Sequence, residues 1–177
     1  MEKIFQNGLI VVLPILLIRF LLLSLLSKQA LKRAAFFPPV EGIEKQAYRV
    51  NIPTTFLLII VPVFLKTNLN GLMGISGLIL LILSLILYCV SIIRFASPDA
   101  LGMNTTGLYR FSRNPMYVAF FFYFLGVCML TRSWMLLVIL VVFQISVHFL
   151  IISEERWCRE KFGEPYEEYM LKVRRYL

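Results

Sequence analysis

Five apolar stretches, at 8–27, 50–65, 71–93, 115–130 and 134–153, separated by short polar connections, limit what this chain can fold into more than any other feature. A hydrocarbon core about 30 Å thick takes roughly 20 helical residues to cross. The stretches at 71–93 and 134–153 carry no formal charge, and 8–27 carries only Arg19. The stretch at 50–65 is shorter and holds Pro53 and Pro62, and 115–130 stops at Thr131-Arg132-Ser133. Both still read as helices, because backbone facing lipid must satisfy its own hydrogen bonds and a proline kink is tolerated inside a bundle. With 59% apolar residues, well above the roughly one-half of a soluble domain, a soluble single-core fold is excluded. The expected fold is an all-α integral membrane protein: one membrane domain over 1–177, with five transmembrane helices and a C-terminal cytoplasmic helical segment at 154–177.

Charge placement orients these spans. If all five cross, 14 of the 18 lysines and arginines fall on one side: Lys28, Lys32, Arg33, Lys45 and Arg49, then Arg94, Arg110 and Arg113, then six in the tail. The other side holds Lys3, Lys66 and Arg132, and Arg19 lies within a span, inside the bundle or snorkelling. The positive-inside rule then predicts a multi-pass protein with its N-terminus outside and its C-terminus cytoplasmic. The net charge of +8 reads as topology and contact with anionic membrane lipids, with no nucleic-acid-binding pattern. The first span is longer than a signal-peptide core and ends in Ser27-Lys28-Gln29, so it reads as a retained helix. Cys89, Cys128 and Cys158 show neither metal-ligand nor redox spacing, and no metal is expected.

Polar residues near membrane depth are costly, which makes them the first place to look for function. They gather in two segments, 106–117 and 148–157. In the first, Asn114 can cap a helix through its side-chain oxygen and Pro115 suits the first helical position; such a helix start beside Arg113 would also receive an anion. In the second, Glu154-Glu155 follows a span that returns through the tight turn at 131–133, so Arg113 and Glu155 should share one face of the molecule. Counting 1.5 Å per residue puts them about 10 Å apart in depth. Helical phase sets Gln144, His148 and Glu155 on one stripe and turns Glu154 away by about 100°. The plainer alternatives are a charged helix end with Glu155 pairing Arg159, and a His148 that satisfies a neighbouring helix. Phe162-Gly163 should end the long helix and Pro165 open a short one. Its Tyr166, Tyr169 or Met170, and Val173 would lie on the membrane surface or over the bundle mouth. Phe120, Phe121, Phe122 and Phe124 read as lipid-facing packing, or alternatively as the wall of an acceptor channel.

At these residues the chain resembles the isoprenylcysteine carboxyl methyltransferase and phospholipid methyltransferase superfamily of integral membrane enzymes. Three pieces match in order: Gly107-x-Tyr109-x-x-x-Arg113-x-Pro115-x-Tyr117, then Glu154-Glu155, then Phe162-Gly163-x-x-Tyr166-x-x-Tyr169 leading to Val173-Arg174-Arg175. The resemblance covers 106–177. It implies S-adenosyl-L-methionine as methyl donor at the cytoplasmic ends of the last two spans, under the C-terminal segment, and a lipid-like or prenylated acceptor entering from the bilayer. Tyr109, Arg113, Asn114, Pro115, Tyr117, Glu154 and Glu155 become the cofactor-site candidates, and His148, Tyr166, Tyr169 and Arg174 the acceptor-side ones. Many members have His where this chain has Asn114, which exchanges no proton near neutral pH. A carboxylate acceptor needs no base, whereas an amine must first lose a proton. That tilts the expectation toward the carboxylate of a prenylated cysteine, with a phospholipid amine or small thiol as the nearest alternative and a non-enzymatic scaffold or carrier as the other class.

Overall fold

A computed structural model describes residues 5–177, with 5–7 described by their backbone alone; Lys3, counted above on the outer side, lies outside the described residues. The first apolar stretch forms α1 (Leu9–Leu17), a π-helical turn (Ile18–Leu22) and α2 (Leu23–Leu26) as one rod. Ser27 ends it and starts α3 (Lys28–Ala34), its hydroxyl accepting from the Ala30 amide at 3.1 Å. Then follow α4 (Ile43–Ile60), which runs into a 3-10 turn (Val61–Phe64), α5 (Gly71–Ala96), α6 (Pro115–Thr131), α7 (Trp134–Phe162) and α8 (Glu164–Lys172). Among the described residues, four helices are long and apolar enough to cross a membrane: Leu9–Leu26, Ile43–Phe64, Gly71–Ala96 and Trp134–Phe162; the apolar Pro115–Thr131 is shorter. Such a set fits a multi-pass membrane protein. A two-stranded antiparallel pair that hydropathy does not foreshadow, β1 (Phe5–Asn7) with β2 (Lys66–Asn68), ties the first rod to the end of the second.

The second helix begins at Ile43, not at 50, which moves Lys45 and Arg49 from a connection onto a helix. An ion pair explains the extension. Glu44 is buried, accepts from Arg156 of α7 at 2.7 Å through both oxygens, and accepts from the Glu41 amide at 2.8 Å. Arg156 also donates to the Pro39 carbonyl at 3.0 Å. A polar helix start is stable here because a charge from another helix completes it, which hydropathy cannot register.

Packing follows two helix pairs. α5 and α6 touch backbone to backbone: a Cβ on Gly126 would meet the Gly77 carbonyl oxygen at 2.9 Å, and one on Gly77 would meet the Met129 Cβ at 2.9 Å. Small residues at such crossings let dispersion act where lipid offers no hydrophobic drive. α4 and α7 share a buried hydrogen bond from Asn51 Nδ2 to Ser146 Oγ of 3.1 Å. Replacing Asn51 by leucine is expected to cost about 0.5–1 kcal/mol, measurable by reversible unfolding in mixed micelles. The Tyr123 hydroxyl donates to the Val11 carbonyl, joining α6 to α1. The phenylalanines of α6 are not simply lipid-facing: Phe124 is fully buried, and Phe120 stacks on it at 4.7 Å and on Phe143 at 5.2 Å. The close α5 approach and the returning α7 enclose that face.

Candidate functional site

The chain descends from α5 to a 3-10 turn (Gly107–Arg110) and enters α6 at Pro115, whose missing amide hydrogen costs nothing at the first helical position. Asn114 is the residue before the helix, but its side chain does not cap it. Its Nδ2 donates instead to the Arg175 carbonyl at 3.1 Å, and its backbone amide donates to Ser112 Oγ at 3.1 Å. The capping expectation fails because the C-terminal segment competes for the amide. That segment is aimed by Gly163, at φ 62°, which breaks α7 from α8 in a conformation L side chains rarely adopt. Beyond α8 the chain runs beside 112–114, in a parallel bridge between Ser112 and Arg174, with the Arg113 amide donating to the Arg174 carbonyl at 2.9 Å.

Arg113 is the centre of this closure. Its Nε and Nη2 donate to Glu155 Oε1 at 3.0 and 2.9 Å, and its Nη1 donates to the carbonyls of Met170 at 3.0 Å and Val173 at 2.6 Å. Arg175 reaches the same acid, Nη2 to Oε2 at 2.8 Å. Glu155 therefore pairs Arg113 and Arg175, not Arg159. The 10 Å offset expected from helix lengths is closed to direct contact. Two residues ahead of Pro115 and a long guanidinium stem supply that reach, at about 3.3 Å per extended residue. The Arg113 and Glu155 side chains are only 9% and 5% exposed, whereas Arg175 is 32% exposed. The hydrogen bonds to Glu155 hold the Arg175 guanidinium above its ordinary range. Two cations on one acid leave a net charge of +1 at the strap.

Glu154 points elsewhere, into a second cluster. Tyr117 donates to its Oε1 at 2.7 Å, and no group among the described residues donates to its Oε2. Arg19 faces the same space from the π-helical turn of the first rod. Its Nη1 reaches the Tyr88 hydroxyl at 3.4 Å, and its charge acts on Tyr88, Tyr117 and Glu154. Tyr109 lies above, with its carbonyl accepting from the Tyr169 hydroxyl at 2.6 Å. Its own hydroxyl is sealed from the surface without a partner, among Tyr169, Tyr88, Glu154 and Arg33. Burial pushes the phenols of Tyr109, Tyr166 and Tyr169 well above their ordinary range, so all three keep their protons.

The structure thus brings together Tyr109, Arg113, Asn114, Tyr117, Glu154, Glu155 and Tyr169, on Pro115 as the helix start. Tyr166 is buried against Phe162 and Tyr169, and His148 Nδ1 lies 2.8 Å from the Tyr176 hydroxyl. Arg174 contributes its backbone, with its side chain exposed. Arg175, Arg19 and Tyr88 were not among the site candidates read from the sequence. Arg175 was legible in the tail motif beside Arg174, and Arg19 as a lone charge in a span, but Tyr88 carried no signal. An apolar groove of about 170 Å³ between α4 and α7, lined by residues including Ala47, Val50 and Phe149, shares none of these residues.

Comparison with known protein families matches residues 92–165 to phospholipid methyltransferase (PEMT). Comparison with curated proteins and with solved structures gives no significant match. The matched stretch is a little under half of the chain and runs from the end of α5 through α6 and α7 into α8, so it contains Tyr109, Arg113, Tyr117, Glu154 and Glu155. The match overlaps the resemblance read from 106–177 as far as residue 165 and leaves Tyr166, Tyr169 and Val173-Arg174-Arg175 outside it; the similarity of residues 92–165 to this family supports a membrane methyltransferase.

Proposed function

We propose that this protein is an S-adenosyl-L-methionine-dependent methyltransferase that works at the cytoplasmic face of a membrane on an amphiphilic acceptor. The observation that carries it is the division of labour between two adjacent acids. Glu155 is consumed by Arg113 and Arg175 in fastening the C-terminal strap, while Glu154, among the described residues, accepts from Tyr117 alone, within electrostatic reach of the unpartnered Tyr109 hydroxyl. Bound there, the cofactor would supply a methyl group on a positively charged sulfur. The residues fit it: Glu154 offers an acid to its cationic parts, the Tyr109 and Tyr117 phenols remain neutral hydrogen-bonding groups, and the net +1 strap, through the part-exposed Arg175, offers a cation to its carboxylate. α8 and the strap exclude water, and the crossing of α6 and α7 holds the reacting groups in line, so the protein's contribution is positioning.

For the acceptor, Asn114 offers no base, and His148 is engaged with Tyr176. This favours a group already ionised, the carboxylate of a prenylated cysteine. The phospholipid amine reading is favoured by the family match itself, and Glu154 is then the group that could take the proton. The N-terminus is proposed to lie outside, since the Arg113 end of the bundle carries most of the basic residues.

Calorimetry of the purified protein in detergent with S-adenosylmethionine and its demethylated product tests the central claim. A saturable site is expected, weakened roughly tenfold or more by Glu154→Gln, as befits a lost charge-assisted bond. No heat with either ligand would return the protein to the scaffold class. A methyl-transfer panel of farnesylated cysteine, phosphatidylethanolamine and a short thiol then separates the acceptors.

A further inference from the structure

Arg19 is an expensive residue where it stands. A guanidinium carries five N–H donors, and a charge at bilayer depth is ordinarily paired or snorkels to the interface. Arg19 does neither. Among the described residues it makes no ion pair, and its one hydrogen bond is the 3.4 Å approach to the Tyr88 hydroxyl. It sits eight residues before Ser27, in the π-helical turn Ile18–Leu22. Such turns insert a residue into the helical ladder and re-aim side chains, often at functional sites.

Three further observations describe the space it faces. Arg19 lies within electrostatic reach of Glu154, and the two do not form an ion pair. Arg19 is exposed, and Tyr117 and Glu154 are part-exposed, although each is crowded by the others. The three side chains are thus accessible while standing within electrostatic reach of one another. The Tyr109 hydroxyl, in a residue only 5% exposed, has no hydrogen-bond partner and shares its surroundings with Tyr88 and Glu154. An orphaned buried donor of this kind is a cost unless a ligand answers it.

The outward neighbours of Arg19 are lipid-type side chains: Phe20 and Leu21 are 60% and 54% exposed. A ligand reaching the guanidinium can therefore keep its apolar part in the bilayer.

We propose that Arg19, steadied by Tyr88, is the anchor for an anionic group, phosphate or carboxylate, on an amphiphile that enters sideways from the inner leaflet with its head toward Glu154 and Tyr109. The inference rests on the methyltransferase reading only for calling that amphiphile the methyl acceptor; the anion site stands on geometry alone. It adds a specificity element from the first helix, outside the segment 92–165 that matches the family. Both acceptor readings satisfy it, since a prenylated cysteine carries a carboxylate and a phospholipid carries a phosphate.

The test compares matched pairs of amphiphiles that differ in one anionic group, with the full-length protein in detergent micelles and binding followed by native mass spectrometry. The pairs are farnesylcysteine against its methyl ester, and dioleoyl phosphatidate against dioleoylglycerol. Wild-type protein is expected to prefer the anionic member of at least one pair by roughly tenfold, the worth of a charge-assisted hydrogen bond. Arg19→Gln should abolish the preference, Arg19→Lys should keep part of it, and Tyr88→Phe should weaken it. The pair that shows the preference identifies carboxylate or phosphate. No preference in wild type, or a preference unchanged in Arg19→Gln, overturns the proposal. The thermal midpoint of the Arg19→Gln preparation shows whether the variant is folded, and cofactor binding by the wild-type protein in calorimetry separates failure here from failure of the methyltransferase reading. If the variant does not fold, the partial preference in Arg19→Lys and the weakened one in Tyr88→Phe decide the matter, and wild-type behaviour in both overturns it.

Discussion

Glu155→Ala is expected to release the C-terminal strap and to remove cofactor binding. The substitution leaves Arg113, 9% exposed, with two carbonyl partners and no countercharge, beside an equally abandoned Arg175. Breaking a buried pair in this way typically costs about 3–5 kcal/mol. The loss should appear as a lowered thermal midpoint and as rapid proteolysis within 163–177, where Gly163 lets the tail swing once its anchor is gone. Arg175→Ala removes the more exposed cation and should cost less. A compensated variant separates structure from chemistry: replacing Arg113 with methionine and Glu155 with leucine together should recover part of the stability, since apolar residues of similar size often substitute for a buried pair. If that double variant also binds S-adenosylmethionine as wild type does, the strap cations are not part of the cofactor site.

Gly126→Leu is expected to be the most damaging single change in the bundle away from the site. A Cβ there would stand 2.9 Å from the Gly77 oxygen and 3.0 Å from the Leu81 amide nitrogen, both backbone atoms that cannot rotate aside. The helices α5 and α6 must separate. The cost should reach or exceed about 3 kcal/mol, the upper end for overpacking. The separation also shifts the entry of α6, where Arg113 to Tyr117 sit, so ligand affinity should fall even though no site residue has changed. Calorimetry of the cofactor together with unfolding in mixed micelles would register both losses. Gly126→Ala, with the same Cβ and nothing beyond it, should fall between wild type and leucine.

The candidate site was legible in part. The motif residues from Gly107 to Tyr117 and the acidic pair after one hairpin could be read as neighbours because a three-residue turn leaves two helices no option but to run back beside each other. The helical wheel even separated Glu155 from Glu154 correctly. It misled about which acid stays available, because phase says where a side chain points and nothing about what it meets. Glu155 points to the strap and is neutralised there. Glu154 points away from that strap and toward a helix from the other end of the chain. Asn114 was misread for a similar reason: a local cap was outcompeted by the Arg175 carbonyl, 61 positions later.

What the sequence by itself determined is everything set by local composition and by short connections. That includes apolar rods long enough for a bilayer, the polar break after Phe162, the hairpin of α6 and α7, and the order of motif fragments in the stretch that matches the family. Only the tertiary structure decided the partners of the charges. The helix start at Ile43 exists because Arg156 meets Glu44, the strap closes because Arg113 and Arg175 meet Glu155, and Arg19 reaches Tyr88 from the first rod. The physical reason is range. Hydropathy and helical phase are sums over neighbours in the chain, whereas the free energy of a charge in a low-dielectric interior is set by groups that only folding brings within a few ångströms.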